Sequence, residues 1–226
     1  MQNFCLGVVL CAAGRSLRMG GTDKIDYMLG GKPVHRWAAE CLLSYPQTTE
    51  LALVVPAEKL DAFAALYAGD ARVTVCAGGA TRQESVANGV RALGEVDLIA
   101  VHDGARPFLR PELIDAVCCA AMEVGGAIPA MPVTDTIHVT RDGLAVATPE
   151  RSTLAAAQTP QIFRREIMLE VLRRVEEEHL TVTDDCSAAV ACGYDCRIVP
   201  GSADNMKITS PSDLARAERI AAAFLA

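Results

Sequence analysis

The stretch LGVVLCAAGRSLRMGGTDK (residues 6–24) joins an uninterrupted apolar run to a turn rich in glycine and positive charge. A short apolar run of this kind is typical of a strand buried on both faces of a parallel sheet. In the turn, glycines allow backbone amides to approach an anion, and basic side chains add full charge. These residues are Gly14, Gly20, Gly21, Arg15, Arg18 and Lys24. The stretch therefore predicts a strand followed by a polyphosphate-binding turn.

The turn matches neither of the two common phosphate-binding motifs. The GK[ST] of a Walker loop is missing, and so is the GxGxxG of a dinucleotide-binding fold. In open α/β sheets, however, ligands bind beside the turn that follows the first strand. The alternative interpretation is a solvated turn in which the basic residues are incidental.

Beyond this stretch, apolar runs of strand length alternate with segments of helix length. The strand-like runs are 6–12, 51–55, 72–76 and 97–103, and the helix-like segments are 33–45, 81–93 and 111–124. Thr81 and Glu84 have the spacing of a capping box at a helix start. This alternation predicts an open, doubly wound, mostly parallel α/β sheet of the Rossmann-like kind, with helices on both faces.

The alternation is interrupted at residues 134–150, which flank Asp142-Gly143. An Asp-Gly pair between alternating residues is typical of a type I′ hairpin. We interpret about 132–152 as a β-arm that leaves the main sheet. Helices at 164–178 and 184–193, a strand at 195–200 and a helix from 210 follow. No repeat or linker divides the sequence, so we expect one domain (1–226) with an arm.

Composition excludes several classes of protein. The chain has 226 residues, 51% apolar and 22% charged, and its net charge of −7 argues against a general binder of nucleic acid or anionic membranes. The early apolar run, residues 4–13, is much shorter than the roughly 20 residues that span a bilayer. No basic residue precedes it, so we expect no signal peptide and a cytoplasmic location.

The nine cysteines are odd in number and form no CxxC pair. Cys186, Cys192 and Cys196 lie near His179, but their spacing fits no common zinc module. We therefore interpret the cysteines as reduced residues used as small apolar side chains.

Motifs along the chain carry a family resemblance. AAGRSLRMGGTDK followed by LGGKP resembles nucleotidyltransferases that join a nucleoside monophosphate to a sugar or polyol phosphate. The motifs that follow in order are GGATRQESV (78–86), VHDGARPF (101–108), TDT (134–136), QTPQIF (158–163), TDD (183–185) and ADNMKIT (203–209). From about residue 6 to the last helix, the chain resembles the 2-C-methyl-D-erythritol 4-phosphate cytidylyltransferases of the non-mevalonate isoprenoid pathway.

The resemblance implies an activity and a CTP site. CMP would pass from CTP to 2-C-methyl-D-erythritol 4-phosphate, giving 4-diphosphocytidyl-2-C-methyl-D-erythritol and pyrophosphate, with Arg18, Lys24 and Lys207 as catalytic cations. Asp103 would hold Mg²⁺, and Ser85 would bond the base. The residues implied to bind CTP are Ala12, Ala13, Gly14, Gly78, Gly79, Ser85, Asp103 and Gly104. The alternatives are a solvated Lys207 and an Asp103 that only caps a turn.

A second set of residues would bind the polyol phosphate, since Arg matches phosphate bidentately. The set is Arg106, Asp135, Thr136, Arg151 and Thr183. An exposed hairpin needs a partner surface, and in the resembling family the partner is a second subunit. The resemblance thus implies a C2 homodimer in which Thr136 and Arg151 act across the interface.

The chain departs from the family pattern at a few positions. Ile25 and Asp26 follow Lys24 where Gln and an aromatic residue are usual, and a carboxylate beside phosphate is unfavourable unless it points away. Glu150 and Cys186 stand where Asp and Ala are usual.

Three other functions compete with this interpretation. The nearest is a ribitol 5-phosphate cytidylyltransferase, which performs the same chemistry on another polyol. An NAD-dependent oxidoreductase is disfavoured by the missing GxGxxG. A non-catalytic nucleotide-binding regulator is disfavoured because Arg18, Lys24, Asp103 and Lys207 are all retained.

Overall fold

The central strand of the sheet is the apolar run that opens the chain, β1 (Leu6–Cys11). Its side chains alternate between two cores: Leu6, Val8 and Leu10 lie in one, and Val9 lies in the other. A strand buried on both faces must be apolar throughout, which is why the pattern is continuous. The computed structural model describes residues 3–14 and 24–225, so Arg15, Arg18 and the rest of 15–23 lie outside the described part.

Twelve strands and seven helices are present within the described ranges. After β1, the strands are β2 (Met28–Leu29), β3 (Lys32–Pro33), β4 (Thr48–Val55), β5 (Val73–Ala77), β6 (Leu98–Asp103), β7 (Gly126–Pro132), β8 (Val139–Arg141), β9 (Leu144–Ala147), β10 (Ala155–Ala157), β11 (Gln161–Arg164) and β12 (Arg197–Pro200). The helices are α1 (Val34–Ser44), α2 (Leu60–Tyr67), α3 (Arg82–Arg91), α4 (Pro111–Val124), α5 (Arg165–Glu177), α6 (Asp185–Ala191) and α7 (Pro211–Leu225).

The main sheet has the predicted, mostly parallel topology. Strands β5, β4, β1 and β6 lie side by side in parallel register. Next to β6, β11 runs antiparallel and connects it to β7, while β12 pairs in parallel with β7. Only β10 and β11 run against the common direction in this sheet. The prediction of a doubly wound α/β fold is confirmed.

Helices cover both faces of the sheet. One apolar core lies between the sheet and α1, α2 and α4, and a second lies under α3, α5 and α6. A third, smaller cluster joins α1 to α7 around Trp37 and Phe108. Because both faces are covered, the ends of the strands are where the sheet meets solvent, and the carboxyl ends hold the first glycine-rich turn.

The hairpin is present at the predicted place. Strands β8 and β9 form a separate two-stranded sheet, and Asp142 and Gly143 both have positive φ, 51° and 79°, as a type I′ turn requires. Residues 134–148 are exposed throughout, including Leu144 at 70%. The hairpin therefore makes no core of its own.

Several elements were not predicted. Strand β7 contains Gly126, Pro129 and Pro132, which normally argue against a strand. Strands β10 and β11 are only 3 and 4 residues long, and β10 is Ala-Ala-Ala. These segments become strands because neighbouring strands satisfy their backbone groups: β7 and β11 have partners on both sides, and the edge strand β10 pairs with β7.

No helix in the described ranges is both long and apolar enough to cross a bilayer. All nine cysteines are free thiols.

Candidate active site

A cavity of about 300 Å³ opens at the carboxyl ends of β1 and β6, beside the start of α3. Four chain segments that are far apart in sequence contribute to it: the residues that follow β1, the turn before α3, the end of β6, and the segment of Lys207. The lining residues are Cys11, Ala13, Gly14, Lys24, Ile25, Gly79, Ala80, Thr81, Arg82, Ser85, Asp103, Ala105 and Lys207. The structure thus brings together most of the predicted CTP site.

Of the described residues that directly follow β1, Ala12 does not offer its amide to the cavity. The Ala12 amide donates to the Val54 carbonyl at 2.7 Å, and Ala12 is buried. Ala13 and Gly14 line the cavity instead. The predicted contribution of three consecutive amides is therefore reduced to those of Ala13 and Gly14.

The unusual residues after Lys24 have clear structural roles. Ile25 is 3% exposed and packs in the core beneath α1. The Asp26 carboxylate accepts from Lys59 Nζ at 2.5 Å. The α1 amide of His35 donates to the Ile25 carbonyl. Asp26 is thus held by a cation of its own, and the segment is anchored to the core immediately after Lys24.

Asp103 lies at the end of β6, is 8% exposed and is surrounded by cations. Lys207 Nζ lies 2.8 Å and Arg106 Nε 3.6 Å from its Oδ2. Burial alone raises the pKa of Asp103, but Lys207, Arg82 and Arg106 outweigh burial and lower the pKa to about 2. The carboxylate is therefore ionised at neutral pH, and the interpretation of Asp103 as a simple turn cap does not account for this set of cations.

A series of hydrogen bonds through His102 and Thr159 positions the backbone of Asp103. His102 is fully buried; its Nε2 donates to the Arg106 carbonyl, which requires Nδ1 to accept from the Thr159 hydroxyl. The same Thr159 oxygen accepts from the Asp103 amide at 3.1 Å. Burial lowers the pKa of His102 to about 4. His102 is thus a neutral positioning group rather than a base.

The turn before α3 has the close packing expected of a ligand-binding turn. A Cβ added at Gly78 would lie 2.5 Å from the Ala13 Cβ, so only glycine fits there. The Gly79 amide donates to Ser85 Oγ, which in turn donates to the Thr81 carbonyl at 2.8 Å. Thr81 caps α3 by accepting from the Glu84 amide, but the predicted capping box is incomplete, because Glu84 Oε2 accepts from the Ala80 amide rather than from that of Thr81.

Gly104 and Arg106 lie beside Asp103 but are not among the residues that line the cavity. The Gly104 amide donates to the Cys11 carbonyl, and a Cβ there would lie 3.1 Å from that oxygen. Gly104 therefore allows the strand ends to approach each other. Arg106 is 9% exposed, and its Nη1 donates to the Asn205 carbonyl at 2.7 Å. Arg106 thus joins the segment of Lys207 to that of Asp103.

No residue of the predicted polyol-phosphate set is among the described residues that line this cavity, although Arg106 contacts Asp103. Asp135, Thr136 and Arg151 lie at the exposed base of the hairpin, where Arg151 Nη1 donates to the Thr134 carbonyl. Thr183 is exposed at the turn before α6. Within one subunit, the set is therefore separate from the cavity.

The ion pair between Arg82 and Asp185 was missed from the sequence. Arg82, the first residue of α3, lines the cavity, and its Nη2 lies 2.7 Å from Oδ2 of Asp185, which is 6% exposed. Burial raises the pKa of Asp185, and Arg82 opposes that rise. A cation at a helix start is disfavoured by the helix dipole, so Arg82 itself was a signal that a partner carboxylate was needed.

The chain matches a known protein family along nearly its whole length. The family described as IspD, 2-C-methyl-D-erythritol 4-phosphate cytidylyltransferase, matches residues 6–223. A bifunctional enzyme IspD/IspF from Bradyrhizobium sp. (strain ORS 278) is 41% identical over 222 residues, which are 96% of this chain and 56% of that protein. A 2-C-methyl-D-erythritol 4-phosphate cytidylyltransferase from Carboxydothermus hydrogenoformans is 38% identical over 223 residues, covering 94% of each.

A solved structure supports the same family assignment. A crystal structure of 4-diphosphocytidyl-2C-methyl-D-erythritol synthase from Anaerococcus prevotii matches with a TM-score of 0.84 at 26% identity, covering 98% of this chain and 96% of that one. This chain spans little more than half of the bifunctional relative and nearly all of the Carboxydothermus relative. Since the match extends through every segment that contributes to the cavity, the chain belongs to the 2-C-methyl-D-erythritol 4-phosphate cytidylyltransferase family.

Proposed function

We propose that the chain transfers CMP from CTP to 2-C-methyl-D-erythritol 4-phosphate, releasing pyrophosphate. The observation that carries this proposal is the convergence of Lys24, Lys207 and Asp103 on one cavity that also contains the Gly79–Ser85 turn. In such a reaction a phosphate oxygen of the acceptor attacks the α-phosphorus of CTP, and the protein contributes positioning and charge stabilisation. The amides of Ala13 and Gly14 would bind the triphosphate.

Lys207 would stabilise the charge that grows on the α-phosphate. In the structure its ammonium neutralises Asp103 at 2.8 Å. An incoming triphosphate offers Lys207 several anionic oxygens, and Lys24 lines the same cavity. A preorganised cation costs no reorganisation at the moment of reaction, which is why its removal lowers kcat strongly.

The donor set fits Mg²⁺. Asp103 supplies an ionised oxygen ligand, and no group of three or more His, Cys, Asp or Glu side chains in the described ranges could hold a metal alone. Mg²⁺ commonly binds through one or two carboxylates together with substrate phosphates. Asp103 would therefore hold the ion with oxygens of CTP, and the bound ion would neutralise phosphate charge.

Ser85 would select cytosine through the direction of its hydroxyl proton. The hydroxyl donates to the Thr81 carbonyl and accepts from the Gly79 amide, which leaves one lone pair. That lone pair can accept from the amino group of cytosine, whereas uracil presents a carbonyl oxygen there. We expect Ser85→Ala to lower the ratio of kcat/KM for CTP to that for UTP by about 10-fold to 100-fold. Ser44→Ala is the matched control, because Ser44 also donates to a helix carbonyl but lies on α1; an unchanged ratio in Ser85→Ala would contradict the role of Ser85.

The second substrate site would be completed by a partner subunit. The hairpin carries four exposed apolar side chains, which are Ile137, Val139, Leu144 and Val146. An isolated hairpin is marginal in water, so these side chains support a partner surface. In a C2 homodimer, Thr136 and Arg151 would approach the other subunit's cavity beside its Arg106.

Pyrophosphate release, measured with CTP and a panel of polyol phosphates, tests the reaction. The proposal expects kcat/KM to be highest with 2-C-methyl-D-erythritol 4-phosphate. Faster turnover with ribitol 5-phosphate would replace it by the nearest alternative. We also propose a cytoplasmic location, which the nine free thiols support and which cell fractionation tests.

A further inference from the structure

The turn before α3 is joined to a distant segment, residues 182–187, by two neighbouring side chains. Arg82 Nη2 donates to Asp185 Oδ2, and Gln83 Nε2 donates to the Val182 carbonyl, each at 2.7 Å. These contacts link residues about 100 positions apart in sequence. They begin one residue after Thr81, whose carbonyl receives the Ser85 hydroxyl proton.

The distant segment is itself anchored to the sheet. Gln161, which is 1% exposed on β11, donates to Asp184 Oδ2 at 2.7 Å and accepts from the Cys186 amide at 2.8 Å. Asp184 and Ser187 also form a capping box that holds the first turn of α6. Asp185 therefore stands on a rigid support, and its carboxylate is in a fixed position when it meets Arg82.

We propose that Asp185 is a positioning residue for base selection, acting through its ion pair with Arg82 to hold the Gly79–Ser85 turn. This inference rests on the proposed role of Ser85. Arg82 is the first residue of α3 and directly follows Thr81, so its ion pair with Asp185 restrains the first turn of the helix and the Thr81 carbonyl that orients the Ser85 hydroxyl. If the pair is lost, the Ser85 proton can point elsewhere, and the hydroxyl no longer distinguishes an amino group from a carbonyl oxygen.

The pair also has the features expected of positioning rather than general stability. Of the two partners, Asp185 is nearly buried. The Arg82 side chain is 30% exposed and lines the cavity. Arg82 is close enough to Asp103 and Cys11 to change the pKa of both. Breaking one partner of a buried pair is strongly destabilising, whereas replacing both by apolar groups is often neutral. This difference allows positioning to be separated from folding.

The experiment compares four variants of the whole protein with CTP and UTP. They are Asp185→Asn, Arg82→Met, Arg82→Lys and the double variant Arg82→Met/Asp185→Leu. We expect the selectivity for CTP over UTP to fall at least 10-fold in Asp185→Asn and Arg82→Met, with a larger rise in KM for CTP than fall in kcat. Arg82→Lys should recover part of the selectivity, because an ammonium can still pair with Asp185.

The double variant distinguishes a positioning role of the ion pair from a purely structural one. We expect it to unfold in urea at a concentration close to that of the wild type and still to lack selectivity. If stability and selectivity both return to wild-type values, the pair has a structural role only and the proposal is overturned. Glu176→Gln is the matched control, since Glu176 on α5 forms an exposed ion pair at 3.7 Å with Arg91, which lies on α3 like Arg82. The selectivity of this variant for CTP over UTP should not change.

Ser85→Ala separates the two proposals. Loss of selectivity in Ser85→Ala but not in the Asp185 and Arg82 variants would overturn the positioning role alone. Unchanged selectivity in Ser85→Ala would overturn the role of Ser85 and, with it, this inference.

Discussion

Replacing Lys207 by Met removes the ammonium that lies 2.8 Å from Asp103 Oδ2 while keeping a side chain of similar length. The pKa of Asp103 falls from 3.8 to about 2 in the folded protein, which corresponds to about 2.5 kcal/mol in favour of the ionised form. Lys207 is the largest of the attractive contributions to that pKa. We therefore expect Lys207→Met to lower the free energy of unfolding at pH 7 by about 1–2 kcal/mol.

The same substitution should act much more strongly on catalysis. Lys207 would stabilise charge that develops only in the transition state, and loss of one such group costs about 100-fold to 1,000-fold. We expect kcat/KM for CTP to fall by that factor, mainly through kcat, in a protein that remains folded. Initial rates of pyrophosphate release measure the first quantity, and urea unfolding measures the second.

The pH dependence has a defined sign. The folded pKa of Asp103 lies below its unfolded value of 3.8, so the stabilisation is fully present above that pH and is lost as the pH falls towards 2. The difference in unfolding free energy between the wild type and Lys207→Met should therefore be larger at pH 7 than near pH 3.

Lys32→Met is the control for Lys207→Met. Lys32 lies 2.5 Å from Glu40 but does not line the cavity, and exposed pairs contribute about 0–1 kcal/mol. Its kcat/KM should remain within about 2-fold of the wild type, since exposed substitutions change little. Near-normal kcat/KM in Lys207→Met would refute the catalytic role of Lys207, and an equal loss in Lys32→Met would show that the effect is not specific.

Three further outcomes are expected. Asp103→Asn should shift the Mg²⁺ midpoint of turnover upward and lower its maximum, because the ligand charge is removed and the shape kept; an unchanged titration would leave Asp103 as a structural residue. Lys24→Ala should lose about 100-fold or more in kcat/KM while unfolding normally in urea, and wild-type rates would exclude a role for Lys24. Arg151→Ala and Lys24→Ala homodimers should each be nearly inactive, yet an equal mixture that has exchanged subunits should regain about a quarter of wild-type activity. The reason is that random pairing makes half of the dimers mixed, and each mixed dimer has one intact site of two. No recovery after demonstrated exchange would contradict action of Arg151 across the interface.

The elements that the sequence predicted correctly are those whose pattern is local. Strand β1 is apolar at every position because both faces are covered, and α4 begins at Pro111 and runs to Val124 as the prediction had it. The Asp142-Gly143 turn was readable because few residue pairs accept two positive φ angles. The order of the motifs was sufficient to identify the family.

Short strands without a local pattern could not be predicted. Strand β10 consists of three alanines, and β7 includes two prolines, so neither shows a preference for strand structure. They are strands because they lie beside each other, with Ala157 in register with Ala130.

By itself, the sequence determined where the cavity is and which family the chain belongs to, since glycine, charge and strand ends are visible as residue types and spacings. Only the tertiary structure decided which partner each polar group has. It showed that the Ala12 amide belongs to the sheet, that Asp26 is held by Lys59, and that Arg82 meets Asp185 across 103 positions. The physical reason is that a hydrogen bond or an ion pair depends on distance in space, and contacts between segments so far apart in sequence exist only after the chain has folded.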